Sequence, residues 1–307
     1  MIGITDIATY LPQCRIDNLQ RAIQLGSTPE QVEERIGFRR VAQLDPGTDT
    51  LDLATTVARQ LLEKNVLDPL SVDVLVVVTQ NPDRNIPHLS AELHGTLGFS
   101  SNCACYDIGL GCSGYVYALS VVSAFMSAND FKVGILVTAD LYSKIVNPND
   151  KITSLIFGDG ATATLLTTDP VFELGAFSFG TQGSEADKLA CNDGVLFMNG
   201  RAVFNFVATH VPEDIHRVVK KNHLSLEDID CFVLHQGSRF IVETIAKRLL
   251  ADIQKVPFMA AEYGNTVSSS IPMMLASLIK DMKNKTMVLS GFGLGFSWAS
   301  TVIKRKE

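Results

Sequence analysis

The chain has 307 residues, 46% of them hydrophobic and 19% charged, with a formal net charge of −7 at pH 7. That length and apolar content suit one large domain or two ordinary ones with a sizeable core, and they exclude a disordered chain. The acidic balance argues against nucleic acid or an anionic membrane as a partner held by overall charge.

The first residues, Met1-Ile2-Gly3-Ile4-Thr5-Asp6, contain neither a basic region nor a long apolar run. No apolar stretch anywhere is long enough to span a bilayer, so a cytoplasmic location is expected. Residues 51–65 read as a helix, followed by a buried strand at 72–78, Val-Asp-Val-Leu-Val-Val-Val. Helices are expected at 89–97 and 115–127, and a strand at 133–137. The second half repeats the alternation, with helices at 211–222, 240–250 and 271–283 and strands at 229–234 and 286–289. Continuous apolar strands between helices predict an α/β protein whose sheet is covered on both faces.

An internal repeat sharpens this reading. Lys64-Asn65-Val66-Leu67-Asp68-Pro69-Leu70-Ser71-Val72-Asp73 aligns without a gap to Lys221-Asn222-His223-Leu224-Ser225-Leu226-Glu227-Asp228-Ile229-Asp230, an offset of 157 residues, and the match continues into the next strand. Residues 133–140 have a counterpart in 287–294. Two similar halves are expected, 1–165 and 166–307, joined near Thr167-Thr168-Asp169-Pro170 and packed as one layered body.

Six cysteines, at 14, 103, 105, 112, 191 and 231, are too sparse for a disulfide framework and match no common zinc spacing. Cys103 and Cys105, alternating residues on a buried strand, read as small core residues rather than as a metal or redox pair. Cys112 differs. It lies in Gly109-Leu110-Gly111-Cys112-Ser113-Gly114-Tyr115, a glycine-flanked turn that opens a helix. A helix N-terminus lowers a thiol pKa, so this is the setting of a nucleophile, although most free cysteines are inert and buried. His235 ends a buried strand in Leu234-His235-Gln236-Gly237-Ser238. At a strand's carboxyl end a histidine can be an acid, a base or an oxyanion donor, or a structural group satisfied by a carbonyl. Asn265, in Tyr263-Gly264-Asn265-Thr266, fits ordinary turn chemistry and equally a neutral donor to a developing oxyanion.

Gly-Cys-Ser-Gly-Tyr, Leu-His-Gln-Gly-Ser and Tyr-Gly-Asn-Thr, in that order, resemble the Cys-His-Asn set of beta-ketoacyl-ACP synthase III, a condensing enzyme of the thiolase superfamily. The resemblance runs nearly end to end. It includes Arg35-Ile36-Gly37-Phe38-Arg39-Arg40, Asn147-Pro148-Asn149-Asp150-Lys151, Phe157-Gly158-Asp159-Gly160-Ala161 and the loop Gly291-Phe292-Gly293-Leu294-Gly295-Phe296-Ser297-Trp298. It implies an α/β, thiolase-like duplicated fold with two similar halves in an αβαβα arrangement. It also implies that Cys112 takes an acyl group from acyl-CoA or acyl-ACP, and that His235 and Asn265 then support decarboxylative Claisen condensation with malonyl-ACP. The beta-ketoacyl product would initiate a fatty acid or polyketide.

By the same resemblance, the N–H groups of Cys112 and Leu294 form an oxyanion hole. Arg35, Ile86, Lys151 and Ser238 bind substrate, and Lys247 and Arg248 dock the acyl carrier protein. No metal or cofactor beyond the substrates is implied, and a homodimer is, because Ile86 reaches the partner's pocket in the family. The glycine-rich loop lacks the second cysteine of a degradative thiolase. Gln31 stands where the family often has a Trp that stacks on adenine, Lys151 replaces an Arg, and Leu294 replaces a Gly. An ammonium does not stack as a guanidinium does. A second reading is therefore an acyltransferase of secondary metabolism that passes the acyl group from Cys112 to a non-malonyl acceptor. A non-catalytic partner subunit is disfavoured by the complete Cys-His-Asn set.

Overall fold

A computed structural model describes residues 1–307. In chain order the strands are β1 (Gly3–Tyr10), β2 (Arg15–Asp17), β3 (Arg40–Ala42), β4 (Val74–Val78), β5 (Ala104–Ile108), β6 (Val133–Asp140), β7 (Gly160–Thr167), β8 (Phe172–Thr181), β9 (Leu189–Asn192), β10 (Val195–Met198), β11 (Cys231–Leu234), β12 (Thr286–Gly293) and β13 (Ser297–Arg305). The helices are α1 (Asn18–Gln24), α2 (Pro29–Gln31), α3 (Thr50–Lys64), α4 (Leu89–Leu97), α5 (Gly114–Ala128), α6 (Gly200–Lys221), α7 (Arg239–Leu249) and α8 (Ser270–Leu278).

Nine strands follow the order β11-β12-β13-β8-β1-β7-β6-β4-β5. Outward from β1 the order β1-β7-β6-β4 mirrors β8-β13-β12-β11, and β5 alone has no counterpart. The two sets meet through only two residue pairs, Gly3 with Glu173 and Ile4 with Phe172. Within each set, parallel pairing (β4 with β6, β11 with β12) gives way to antiparallel pairing toward the centre.

Three apolar clusters define the layers. Val74, Val76 and Val78 of β4 and Val233, Met287 and Leu289 of β11 and β12 face Tyr115, Leu119 and Val122 of α5 and Met274 and Leu275 of α8. These two helices therefore lie between the two sets of strands. Leu75, Val77, Ile135 and Val137 point the other way, against α3 and α4. Phe232, Leu234, Val288 and Val302 point outward against α6 and α7. The result is αβαβα layering, with strands covered on both faces, as their unbroken apolar runs require.

The sequence repeat has a physical explanation. Asp73 and Asp230, at matching positions, each pin the start of the neighbouring strand. Asp73 accepts from the N–H groups of Lys132 and Val133, and Asp230 from those of Lys285 and Thr286. Asn65 and Asn222 each donate to the carbonyl four residues back, Leu61 or Val218. They also tie their helix end to the adjacent central strand, through Asp6 in one case and Ala176 in the other. Val66 and His223, again at matching positions, both take the left-handed backbone, with φ of 49° and 57°.

Four expected elements differ in extent. Helix α6 begins at Gly200 rather than near 211, because Pro212 lies inside it and reads from sequence as a helix start. Helix α8 ends at Leu278, short of 283. Strands β6 and β12 run on to Asp140 and Gly293, since tertiary pairing extends them past their apolar runs.

Asn222→Ala removes the acceptor for the Ala176 N–H and two side-chain donor bonds. It should lower stability by about 1–3 kcal/mol in urea titrations; no shift in the midpoint would count against this account of the repeat.

Candidate active site

Cys112 is held in a tight turn before α5. The Gly114 N–H donates to the Gly111 carbonyl at 2.7 Å, and the helix follows from Gly114. Ser113 bonds Ser297 side chain to side chain at 2.7 Å, and Ser297 Oγ donates to the Leu294 carbonyl at 3.0 Å. The Cys112 turn of the first half is thus tied to the glycine-rich loop of the second. The loop comes so close that glycine is required. A Cβ on Gly293 would lie 2.9 Å from Cys112 Sγ, and one on Gly291 would lie 2.7 Å from the Cys112 carbonyl oxygen. Gly293 also has φ of 155°, a conformation that side chains resist.

Cys112, His235 and Asn265 are 4%, 2% and 3% exposed, so reactants reach them only through a cavity. Burial pushes the Cys112 thiol up to about 12. The N–H groups of Leu294 and of Cys112 itself pull it back, and the nearby Asp140 adds to the upward push. The sequence predicts a thiol lowered by the helix N-terminus, and here desolvation outweighs that field. The resting group is a neutral thiol whose sulfur faces two backbone donors.

His235 continues β11, its N–H donating to the Ser290 carbonyl at 2.9 Å. Its ring meets Phe292 edge-on at 5.5 Å. Burial alone lowers its pKa to about 3, which leaves the imidazole neutral at pH 7. Nδ1 is buried without a partner, so no protein carbonyl satisfies it there, as the structural reading of this histidine would require.

Asn265 is fixed on three sides. Its N–H donates to Ile156, its carbonyl accepts from Gly158, and its Oδ1 accepts from the Val267 N–H at 2.9 Å. That last bond decides the amide orientation and leaves the Nδ2 donors toward the cavity. The Phe-Gly-Asp-Gly-Ala segment supports this arrangement. A Cβ on Gly158 would strike the Tyr263 carbonyl, and Asp159 accepts from the N–H groups of Leu44 and Ser143 at 3.0 Å each.

One cavity of about 530 Å³ joins these groups. Cys112, His235, Asn265, Phe292 and Gly293 form its floor, and Gln31, Arg35, Lys151, Ser238 and Phe240 lie along its mouth and walls. Arg35 sits on a π-helical turn, Val32–Ile36, closed by Gly37 in the left-handed conformation. Ser238 caps α7, its Oγ accepting from the Ile241 N–H at 3.2 Å. Three expected site residues lie elsewhere. Ile86 is 88% exposed and lines no major cavity of the single chain. Lys247 and Arg248 are exposed in the last turn of α7, where cations complement the helix C-terminus.

Some residues around the site escaped the sequence reading. Phe204 and Phe240 stack at the mouth with centroids 5.1 Å apart. Asp140 is buried, its pKa raised by burial to about 6, and it accepts from Ser268, Gln80 and Thr79. It thereby links the end of β4 to the Asn265 loop. An acid ending an apolar strand was its available signal; the stacked phenylalanines are far apart in sequence and gave none.

The chain matches the family described as 3-oxoacyl-[acyl-carrier-protein (ACP)] synthase III over residues 106–183, and the C-terminal part of that family over residues 219–305. It is 32% identical to a beta-ketoacyl-[acyl-carrier-protein] synthase III of Streptococcus sanguinis, covering 98% of each chain. A crystal structure of a 3-oxoacyl-(acyl-carrier-protein) synthase III superposes with a TM-score of 0.93 at 32% identity, covering 99% of both chains. The enzyme of that name from Aquifex aeolicus superposes with a TM-score of 0.93 at 26% identity, covering 99% of this chain and 100% of that one.

With the Cys112 thiol this high, its alkylation by iodoacetamide should still be climbing at about pH 9, since only the thiolate reacts. A rate that levels off near pH 7 would mean that the helix terminus prevails over burial.

Proposed function

Because the chain belongs to the 3-oxoacyl-[acyl-carrier-protein] synthase III family of condensing transferases, we propose that Cys112 is its acyl-carrying nucleophile. The observation that carries this reading is the meeting of Cys112, His235 and Asn265, from both halves of the chain, on the floor of one cavity. We divide those halves as residues 1–165 and 166–307.

In the first step Cys112 Sγ bonds to the acyl carbon of a thioester. The carbon–sulfur bond of the donor breaks, and the proton lost by Cys112 ends on the donor sulfur. The negative oxygen formed on the way is received by the N–H groups of Cys112 and Leu294, both of which face the sulfur. In the second step malonyl-ACP enters. Neutral His235 and Asn265 Nδ2 donate to its thioester carbonyl. The electron pair of the breaking carboxyl bond becomes an enolate as carbon dioxide departs. The enolate carbon attacks the acyl carbon, the bond to Cys112 Sγ breaks, and the sulfur leaves as a thiolate that takes a proton from solvent. Neutral donors suit this step, because a cation at either position would hold the malonyl carboxylate instead of the oxygen that gains charge.

The donor arm would run along Arg35, Lys151 and Ser238, with an acyl carrier protein docked over Lys247 and Arg248. Gln31 and Lys151 offer adenine no ring or guanidinium at those two positions, while Arg35 and Phe240 stand at the same mouth, so acyl-CoA and a carrier-bound donor both remain donors in this reading. A homodimer is supported by exposed Ile86 and by β5, which ends the strand order with one edge unpaired.

Intact-mass analysis after incubation with acyl-CoA and acyl-ACP donors, followed by malonyl-ACP, tests the reading. Acylation at Cys112 with release of carbon dioxide is expected, and Cys112→Ala should abolish it. Acylation without release would transfer the function to another acceptor. Asn265→Ala should slow malonyl decarboxylation by about 10²–10³-fold while sparing acylation, the usual cost of one oxyanion donor. His235→Ala should follow the same pattern, and equal loss of both steps would undo the assigned roles. Because the His235 imidazole stays neutral down to about pH 3, decarboxylation should show no acid limb from this residue between about pH 5 and 8.

A further inference from the structure

Asp140 is the last residue of β6, and it is completely buried. In the internal repeat it stands where the second half has Leu294. An ionisable group so deeply placed is unfavourable unless its oxygens are bonded. Both are, and neutral donors alone supply the bonds. Oδ1 accepts from the Gln80 N–H at 2.9 Å and from the Thr79 hydroxyl at 3.4 Å. Oδ2 accepts from the Ser268 hydroxyl and, at 3.4 Å, from the Ser268 N–H. One carboxylate thus spans two segments, one from each half of the chain.

Each segment leads directly to a residue of the site. Gln80 lies just beyond β4. Its Oε1 accepts from the Tyr142 hydroxyl at 3.0 Å and crowds the place a Cβ on Gly111 would occupy, so its side chain lies against the residue before Cys112. Ser268 lies three residues after Asn265. Between them, the Val267 N–H donates to Asn265 Oδ1 at 2.9 Å, the bond that orients the amide. Val267 does so with φ of 53°, a left-handed conformation that a β-branched residue resists. A turn held in that conformation must be fixed from outside. Asp140 fixes Ser268, while Ser269 bonds Thr138 and donates to the Gly160 carbonyl. Thr138 belongs to β6 as well, so the Asn265 loop rests on the end of that strand.

The structure assigns Asp140 as a positioning residue: by holding Gln80 through one carboxylate oxygen and Ser268 through the other, it sets the spacing between the Cys112 turn and the Asn265 amide. It does not line the cavity over Cys112, so it acts through these neighbours and not on substrate. The assignment rests on the roles of Cys112 and Asn265 proposed above.

The test measures acylation of Cys112 by intact mass and malonyl-ACP decarboxylation by carbon dioxide release. Both are run at pH 8, where the Asp140 carboxyl, raised by burial to about 6, is ionised. Rates are expressed per folded molecule, from the folded fraction seen by circular dichroism. Asp140→Ala should slow both steps about ten- to a hundred-fold, the cost of an ångström-scale misplacement, through kcat with KM unchanged. Asp140→Asn can accept from the Gln80 N–H with its amide oxygen and offer its NH₂ to the Ser268 hydroxyl, so it should recover at least about a third of the wild-type rates. Ser268→Ala cuts the link on the Asn265 side alone and should slow decarboxylation about ten-fold more than acylation. Should Asp140→Ala yield no folded protein, the other two variants decide. If the folded variants keep wild-type rates per molecule and only melt earlier, or if KM rises with kcat unchanged, the positioning role is overturned and the acyl-Cys112 reading stands. If wild type is acylated by no donor, or Asn265→Ala spares decarboxylation, the reading beneath it fails.

Discussion

The site depends on one close approach. The loop after β12 passes so near Cys112 that neither Gly291 nor Gly293 has room for a Cβ. The contact joins a turn from the first half of the chain to a loop from the second. It is held by the Ser113–Ser297 bond and, more broadly, by the apolar middle layer in which α5 and α8 pack between the two sets of strands. Displacing either half by an ångström would part the sulfur from the Leu294 N–H. A duplicated fold suits such a site, because Cys112 and its two polar companions arrive on separate, rigidly paired strand ends and loops.

Burial sets the charge state of the site. Cys112 and His235 are both fully desolvated, and desolvation favours the neutral form of each, raising the thiol and lowering the imidazole. No resting thiolate–imidazolium pair is formed. In the proposed reaction, charge would arise only transiently, on oxygens that meet fixed N–H and amide donors. Asn265 illustrates how those donors are held. Every other hydrogen-bonding group of the residue is already committed to backbone, so its Nδ2 has little freedom to turn away. Such preorganisation avoids reorganisation at the moment charge develops.

The mouth of the cavity is built differently from its floor. Gln31, Arg35, Lys151 and Phe240 are all exposed, and the stacked Phe204–Phe240 pair presents an apolar face beside two cations. The rim there combines charged side chains with one aromatic surface. Departures from the family pattern gather at this rim and at Leu294, while Cys112, His235 and Asn265 keep the family's residue types.

The sequence by itself determined the layered α/β architecture and its duplication, because buried parallel strands must be apolar throughout and because Asp73 and Asp230, like Asn65 and Asn222, do the same local work in each half. It also singled out Cys112, His235 and Asn265, since a polar residue that ends an apolar strand or sits in a glycine turn stands out against its surroundings. Tertiary structure alone decided the rest. The thiol's pKa is set by how deeply Cys112 is buried, which its glycine-flanked turn does not reveal. The extent of α6 through Pro212, the aromatic pair at the mouth and the link made by Asp140 all arise from contacts between residues distant in sequence. A linear pattern records the local preferences of a residue; it does not record which remote side chains will exclude water from it.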